Sequence, residues 1–487
     1  MDAIATLSVY AYFGILLILS LYGIHRYFIL YLYVKHRKLG RPPRAPDLET
    51  ARYPSVTIQL PLYNEYYVAE RVINSAADIR YPKNLLRIQV LDDSTDGTSR
   101  IARRAVRRLR ERGFVAEYRH RSVRDGFKAG ALRDGLDGTP DELVAIFDAD
   151  FIPPPDFLEK TVPYFADEKT GLVQTRWGYL NRDYSLLTRV QSILLDGHFI
   201  LEHTARFLSG RFFNFNGTGG VFRRKAILKS GGWHGDTLTE DLDLSYRVQM
   251  NGWKFVFLPD VVCPSELPVD IFGFKTQQHR WAKGSIQVGR KLLGRIWRSR
   301  LPLRVKTEAT FHLTANLSYL LLVMLSALMP LSVILRPHTV ARGSIWAEAI
   351  VFSLTTISIF VFYLVAQHEL HPDWRRRARD IPFILALGIG MCINNAWAVT
   401  EALVGRRTPF VRTAKYRIES IGDRWKGKIY RSVIKPSLVV EFVLMVYMCA
   451  ALAGIVALRN WAAFPYVALF VAGYVYVFGL SVLHTRQ

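Results

Sequence analysis

Asp148 and Asp150 close an apolar, β-branched run, Leu143-Val144-Ala145-Ile146-Phe147, with a single alanine between them. A run of that length between turn formers (Gly138-Thr139-Pro140 before it, Pro153-Pro154-Pro155 after it) reads as a buried strand of an α/β sheet. Alternation sets both carboxylates on one side of the strand end, and ligands of open α/β sheets sit in the crevice there. Two carboxylates so placed can hold a hard divalent cation against a phosphate-bearing ligand.

Three further clusters fall at strand ends or in the loops after them: Asn64-Glu65, Asp92-Asp93 and Thr239-Glu240-Asp241. Neither GxGxxG nor GxxxxGK[ST] accompanies them, which leaves out a classical dinucleotide site and a Walker loop. The set fits a nucleotide-sugar site. One carboxylate group meets base and ribose, the next pair holds a metal on the diphosphate, and a later one takes the proton of an incoming hydroxyl. Taken alone, Thr239-Glu240-Asp241 is also what a helix N-cap with an acidic first turn looks like. His198, His203 and His279 have no metal-ligand spacing and read as structural.

Residues 50–291 supply the frame for these groups. Val56, Ile58 and Leu60 alternate as a first strand ending at Leu62-Tyr63-Asn64-Glu65, and Arg87–Leu91 forms a second, ending in Asp92-Asp93. The helix between Thr98 and Gly113 carries Ile101, Ala105 and Leu109 on one face. Val115–Tyr118 is a third strand, Gly126–Leu136 a helix, and Leu172–Trp177 a later strand. Alternating strands and helices predict a parallel sheet covered on both faces. Ser185–Phe207 reads as mostly helical, and Gly217-Thr218-Gly219-Gly220 as a Gly-rich loop.

The 487 residues are half hydrophobic yet carry a formal charge of +23. Both facts fit membrane spans flanked by basic segments, and no nucleic-acid module accounts for the charge. Residues 1–40 read as a transmembrane anchor followed by Lys35, His36, Arg37, Lys38 and Arg41, an order opposite to that of a cleaved signal peptide. Residues 292–308 have the composition of an amphipathic helix on a membrane surface. In 309–487, apolar segments at 309–335, 345–366, 381–404, 437–457 and 462–483 are each near the length that crosses a bilayer. Basic loops on both sides of 381–404, together with Gly388, Gly390, Asn394 and Asn395, predict that this segment is interfacial or re-entrant. That leaves five crossings, with the 50–291 domain, the 405–436 loop and the C-terminus cytoplasmic. Cys263, Cys392 and Cys449 form no metal or disulfide pattern.

The ordered set Asp92/Asp93, Asp148-Ala149-Asp150, Thr239-Glu240-Asp241 and Gln277-x-x-Arg280-Trp281 resembles the D, DxD, TED, QxxRW pattern of family 2 membrane glycosyltransferases. Leu60-Pro61-Leu62-Tyr63-Asn64-Glu65, Lys128-Ala129-Gly130-Ala131-Leu132 and Phe215-Asn216-Gly217-Thr218 are similar to the cellulose-synthase-like A group, the β-mannan and glucomannan synthases. The resemblance implies an α/β GT-A (Rossmann-like) catalytic domain inserted in an α-helical transmembrane bundle. It implies Tyr63, Glu65 and Asp92 or Asp93 on the nucleoside, and Lys128 on a phosphate. It gives Asp148 to the sugar nucleotide and to Mg²⁺ or Mn²⁺, and Asp150 to the metal directly. Asp241 is then the general base with Glu240 beside it, and Arg280 faces the diphosphate. Trp281 stacks under the acceptor sugar, and Gly217, Thr218 and Gln277 complete the substrate site. Pro409–Lys415 resembles a gating loop of processive members, though not in the cellulose-synthase form.

The expected activity is an inverting, metal-dependent transfer of a hexose from GDP-mannose or UDP-glucose to a growing β-1,4-linked polysaccharide, with translocation. The alternative is a non-processive enzyme that adds one sugar to a lipid. A transporter with a nucleotide-sensing domain is a rival from another class. The implied partners are a nucleotide-sugar donor, a polysaccharide or glycolipid acceptor and the lipid bilayer. The implied location is a bacterial inner membrane or its equivalent.

Overall fold

The computed structural model describes residues 2–37, 53–335, 345–406, 408–425, 427–430 and 437–485. Seven strands, β1 (Val56–Leu62), β2 (Leu86–Asp92), β3 (Val115–His120), β4 (Leu143–Ile146), β5 (Thr170–Tyr179), β6 (Gly220–Arg223) and β7 (Lys254–Ser265), form one sheet in the order β3-β2-β1-β4-β6-β5-β7. Every residue of β4 is buried, as is nearly all of β1, so these central strands read as continuous apolar runs. The helices Ala69–Ala77, Thr98–Glu111 and Phe127–Asp137 supply crossovers between β1, β2, β3 and β4. Those four strands are parallel, so the ends of β1, β2 and β4 open on one edge.

The sheet is mixed rather than wholly parallel. β6 runs antiparallel to both β4 and β5. It was hidden because its four residues follow directly on the glycines that read as a loop. β7 pairs parallel with β5, with a register irregularity between Thr175 and Arg176, where pairing jumps from Leu258 to Val262. Pro259 and Asp260 lie in that gap, and Pro264 follows, which obscures a strand in sequence.

The helix Ile271–Arg298 leads from this domain to the apolar helices and ends before Pro302. Residues 292–308 are therefore not one helix: Leu303–Thr314 starts a new one. Among the described residues four helices are long and apolar enough to cross a membrane: Thr6–Arg37, Glu348–Leu370, Ser437–Ala457 and Phe464–Thr485. Two bent pairs, Leu303–Thr314 with Leu317–Val333 (55°) and Trp374–Gly390 with Cys392–Leu403 (45°), raise the number to as many as six if each is a span. The second break falls at Met391, within the segment whose glycines and asparagines set it apart in sequence. A cavity of about 320 Å³ lies among these helices, with Tyr22, His25, Arg26, Asn316, Tyr319 and Tyr363 on its wall.

Candidate functional site

A cleft opens where β1, β2 and β4 end. Tyr63, Glu65, Asp93, Lys128, Asp148, Asp150, Gly217, Glu240, Asp241, Gln277, Arg280 and Trp281 all line it. The sequence separates these residues by more than two hundred positions, and the sheet order collects them.

Asp148 and Asp150 project from the end of β4. The Asp148 backbone N–H donates to Thr218 Oγ1 at 2.9 Å, so Thr218 is buried behind Asp148 and fixes it instead of lining the cleft. Lys128 Nζ lies 2.5 Å from Asp148 Oδ1, 3.8 Å from Glu240 Oε1, and donates to the Gly217 carbonyl at 2.9 Å. Lys128 is half-buried, which works against its charge, but Asp148 and Glu240 more than offset this and raise its pKa. Burial pushes the Asp148 carboxyl up in turn.

Glu240 and Asp241 start the helix Glu240–Met250 after Thr239. Gly217 faces them with φ +81°, and a Cβ there would stand 3.0 Å from Asp241 Oδ2. A side chain at 217 would thus take the space that Asp241 occupies. Burial, followed by the neighbouring Glu240 charge, pushes the Asp241 carboxyl up to about 7. Burial also raises Glu240 and lowers Arg280. Glu65, half-buried and 3.4 Å from Arg412, is pushed up to about 8 by desolvation.

Asp92 and Asp93 part company. Asp92 is fully buried and does not line the cleft. Its carboxylate accepts from the Ser94 N–H at 2.9 Å and from the Ser99 and Tyr118 hydroxyls at 2.6 Å each. It braces the β2 turn, and only Asp93 reaches the cleft.

A strand of chain from the basic loop closes one wall. Lys415 Nζ lies 2.8 Å from Asp150 Oδ2 and also donates to the Glu266 carbonyl. Tyr416 N–H donates to Glu266 Oε1 at 2.8 Å, and Arg280 Nη2 donates to Thr413 Oγ1 at 3.3 Å. Phe410 and Arg412 complete this wall. Sequence reading missed Arg124, Trp177 and Glu266, which also line the cleft. Arg124 belongs to a run of basic residues that looks like a solvated loop, and Trp177 and Glu266 lie at the ends of the mixed half of the sheet.

Asp148 and Asp150 are hard oxygen donors, and in this arrangement each faces an ammonium group. A divalent cation suits such donors, with Lys415 as the group it would displace from Asp150. A second cluster, His234, Asp236 and Asp243, has ligand atoms within 4.8 Å of one another. Lys291 already sits in it, 2.8 Å from Asp236 and 3.0 Å from Asp243, so its charge is balanced by the protein.

Residues 143–366 match the family described as Glycosyl transferase family group 2. The chain is 43% identical over 255 residues to the glucomannan 4-beta-mannosyltransferase 7 of Arabidopsis thaliana, a match covering 51% of this chain and 46% of that protein. It is 42% identical over 264 residues to the glucomannan 4-beta-mannosyltransferase 1 of Oryza sativa subsp. japonica, covering 53% and 51% respectively. The chain thus spans about half the length of the curated relatives it matches. In fold it is similar to the mannosyltransferase PcManGT from Pyrobaculum calidifontis, solved with GDP-Man and Mn²⁺, at a TM-score of 0.53 and 23% identity over 83% of this chain and 99% of that one. Residues 143–366, which carry Asp148, Asp150, Asp241, Arg280 and Trp281, therefore match a family 2 glycosyltransferase domain, set in a GT-A-like mixed sheet beside several apolar helices.

Proposed function

We propose that the chain is an inverting membrane β-mannosyltransferase that uses GDP-mannose to extend a β-1,4-linked glycan. The observation that carries this is the meeting of Asp148, Asp150, Asp241, Arg280 and Trp281 in one cleft. Asp241 is the general base: an acceptor hydroxyl within hydrogen-bond reach gives it a proton while the oxygen attacks the anomeric carbon. A base whose pKa lies near 7 suits this task, because a good share of it is ionised near neutral pH and it is still strong enough to accept. Lys128 and Arg280 take up negative charge that grows on the departing diphosphate. Trp281 offers its indole face to the acceptor sugar, and Asp93, Glu65 and Tyr63 meet the nucleoside. One carboxylate base with no partner nucleophile gives inversion, hence a β-linkage from an α-linked donor.

Asp148 and Asp150 would hold Mg²⁺ or Mn²⁺, which supplies electrostatic stabilisation of the leaving diphosphate. The cavity between the helices, walled by aromatic, polar and aliphatic side chains, is where the growing glycan would leave. On this reading the catalytic domain is cytoplasmic. The loop from Thr408 to Tyr416, with Lys415 on Asp150, would have to release Asp150 for a metal to be held there.

The test uses full-length protein in detergent, GDP-mannose, UDP-glucose and other sugar nucleotides, and Mg²⁺ or Mn²⁺, with Asp241→Asn as the blank. The expected result is mannose transfer from GDP-mannose that falls at least about a hundredfold in the variant. Equal turnover by Asp241→Asn removes the base assignment, and turnover of UDP-sugars alone removes the donor assignment.

A further inference from the structure

Among the described residues five cationic side chains line the cleft, and four are held within 3.4 Å of an acid or of the loop wall. Lys128 meets Asp148, Lys415 meets Asp150, Arg412 meets Glu65, and Arg280 donates to Thr413. Arg124 differs. Its guanidinium carbon lies 3.4 Å from the centroid of the Tyr63 ring, a separation that a flat cation reaches only face-on. Phe127 and Phe410 flank it, each 5.1 Å away. Its Nε is sealed from solvent and has no hydrogen-bond partner among the described residues. The nearest acid is Asp93 at 3.7 Å, and both Asp93 oxygens already accept from Arg121, at 2.7 and 2.6 Å.

The backbone turns sharply just after Arg124. Gly126 has φ +66° and Phe127 has φ +51°, the latter an uncommon value for an aromatic residue. A sealed guanidinium nitrogen with no hydrogen bond is costly, and the rest of the group, on a side chain 19% exposed, remains open to acceptors from a ligand. Its position says which part of the ligand. Tyr63, Asp93 and Arg124 follow β1, β2 and β3, whereas the reacting acids follow β4 and later elements. Arg124 therefore serves the end of the donor remote from the sugar.

We infer that Arg124 reads the nucleobase and selects guanine; this rests on the nucleotide-sugar reading above. A guanidinium held in plane against Tyr63 presents two parallel N–H groups. Guanine offers O6 and N7 as adjacent acceptors along one edge, the pair that arginine meets bidentately. Uracil has C5–H beside O4 and so has no such pair. Adenine sets an amino donor beside N7 and is rejected for the opposite reason.

The experiment is calorimetric titration of the full chain in detergent, with Mn²⁺, against GDP, UDP and 7-deaza-GDP, which replaces the N7 acceptor by C–H. The wild type is expected to prefer GDP to UDP and to bind 7-deaza-GDP about tenfold more weakly or worse. Arg124→Met is expected to narrow the GDP-to-UDP ratio about tenfold and to bind GDP and 7-deaza-GDP alike. Arg124→Lys, which keeps charge and stem but not the fork, is expected to lose the 7-deaza discrimination too, and serves if the methionine variant does not fold. A wild type that binds neither nucleotide, or prefers UDP, overturns the donor assignment itself and this inference with it. A wild type that prefers GDP, with discrimination intact in both variants, overturns the role of Arg124 alone. Equal weakening of GDP and UDP assigns Arg124 to the diphosphate and overturns it as well.

Discussion

Gly217→Ala tests whether the cleft positions Asp241 as closely as the geometry requires. The added Cβ would lie 3.0 Å from Asp241 Oδ2 and 3.3 Å from Lys128 Nζ, where ordinary contact begins at 3.4 Å. Asp241 starts a helix packed by Ser245, whose hydroxyl donates to the Asp241 carbonyl at 2.5 Å, so the carboxylate has to yield before the helix does. A displacement of about 0.4 Å follows; since about 1 Å of misplacement can cost a hundredfold in rate, roughly a tenfold loss of kcat is expected. The φ of +81° adds backbone strain of about 1–2 kcal/mol in an L-residue. In a domain of this size that lowers Tm by about 2–8 °C. The assay is mannose transfer at saturating donor, with a thermal melt in the same detergent. The decisive control is the double variant: in the Asp241→Asn background, Gly217→Ala is expected to have almost no further effect on turnover. A Tm loss with kcat intact, or an equal kcat loss in both backgrounds, would show that Gly217 serves the backbone only and refute the coupling to Asp241.

The pH profile should follow Asp241. Its carboxyl is held up to about 7 by burial and then by Glu240, and only the ionised form accepts a proton, so kcat/KM should rise with pH through about 7. Glu240→Gln removes one raising charge and should move that limb to lower pH; an unmoved limb assigns it to another group. Lys415→Ala frees Asp150 of an ammonium 2.8 Å away, so the Mn²⁺ concentration for half-maximal turnover should fall several-fold, and an unchanged value would unseat Asp150 as a metal ligand. Lys275 and Glu441 form a buried pair at 2.7 Å; Glu441→Leu alone should destabilise the fold by about 3–5 kcal/mol, whereas Lys275→Met with Glu441→Leu should recover most of it. Thermal melts of the two variants decide this, and equal Tm losses would show that the pair is not the cause.

How much of this was legible depended on how locally each feature is encoded. Asp148 and Asp150 stood out because a four-residue apolar strand ends in them, and strand ends converge wherever a sheet is parallel. Asp93 was legible for the same reason, but its separation from Asp92 was not. Which of two adjacent acids turns inward is decided by Ser99 and Tyr118, which are contributed by other elements. Thr218, which the resemblance gives to the substrate site, is buried and accepts from the Asp148 backbone N–H, a partner that its own segment does not reveal. Arg124 was invisible because nothing about a loop arginine announces that it lies on a tyrosine sixty-one positions earlier. β6 and β7 escaped notice because glycines and prolines mask their short alternations, and pairing with β5 supplies the order that local propensity lacks.

The helix Ile271–Arg298 shows why the chemistry and the apolar helices have to be considered together. Its composition suggested a helix resting on a membrane surface, with cations turned to lipid head groups. Two stripes instead run along it. Gln277, Arg280 and Trp281, three and four apart, share the face that lines the cleft. Lys275, His279 and Lys283, each four apart, share another. Every member of that second stripe meets a carboxylate of a later helix: Glu441 for Lys275, and Glu401 for His279 and Lys283, at 2.7 to 3.1 Å. Buried ion pairs contribute little net stability but penalise any register that leaves one partner unpaired. Sliding this helix by one turn would carry a buried ammonium away from its carboxylate, so Glu401 and Glu441 fix the height at which Arg280 and Trp281 enter the cleft. Lys283 also donates to Thr408 at 2.7 Å, which ties the start of the loop bearing Lys415 to the same register. The apolar helices therefore hold the cleft and its closing loop in alignment, and their role is not limited to anchoring the domain.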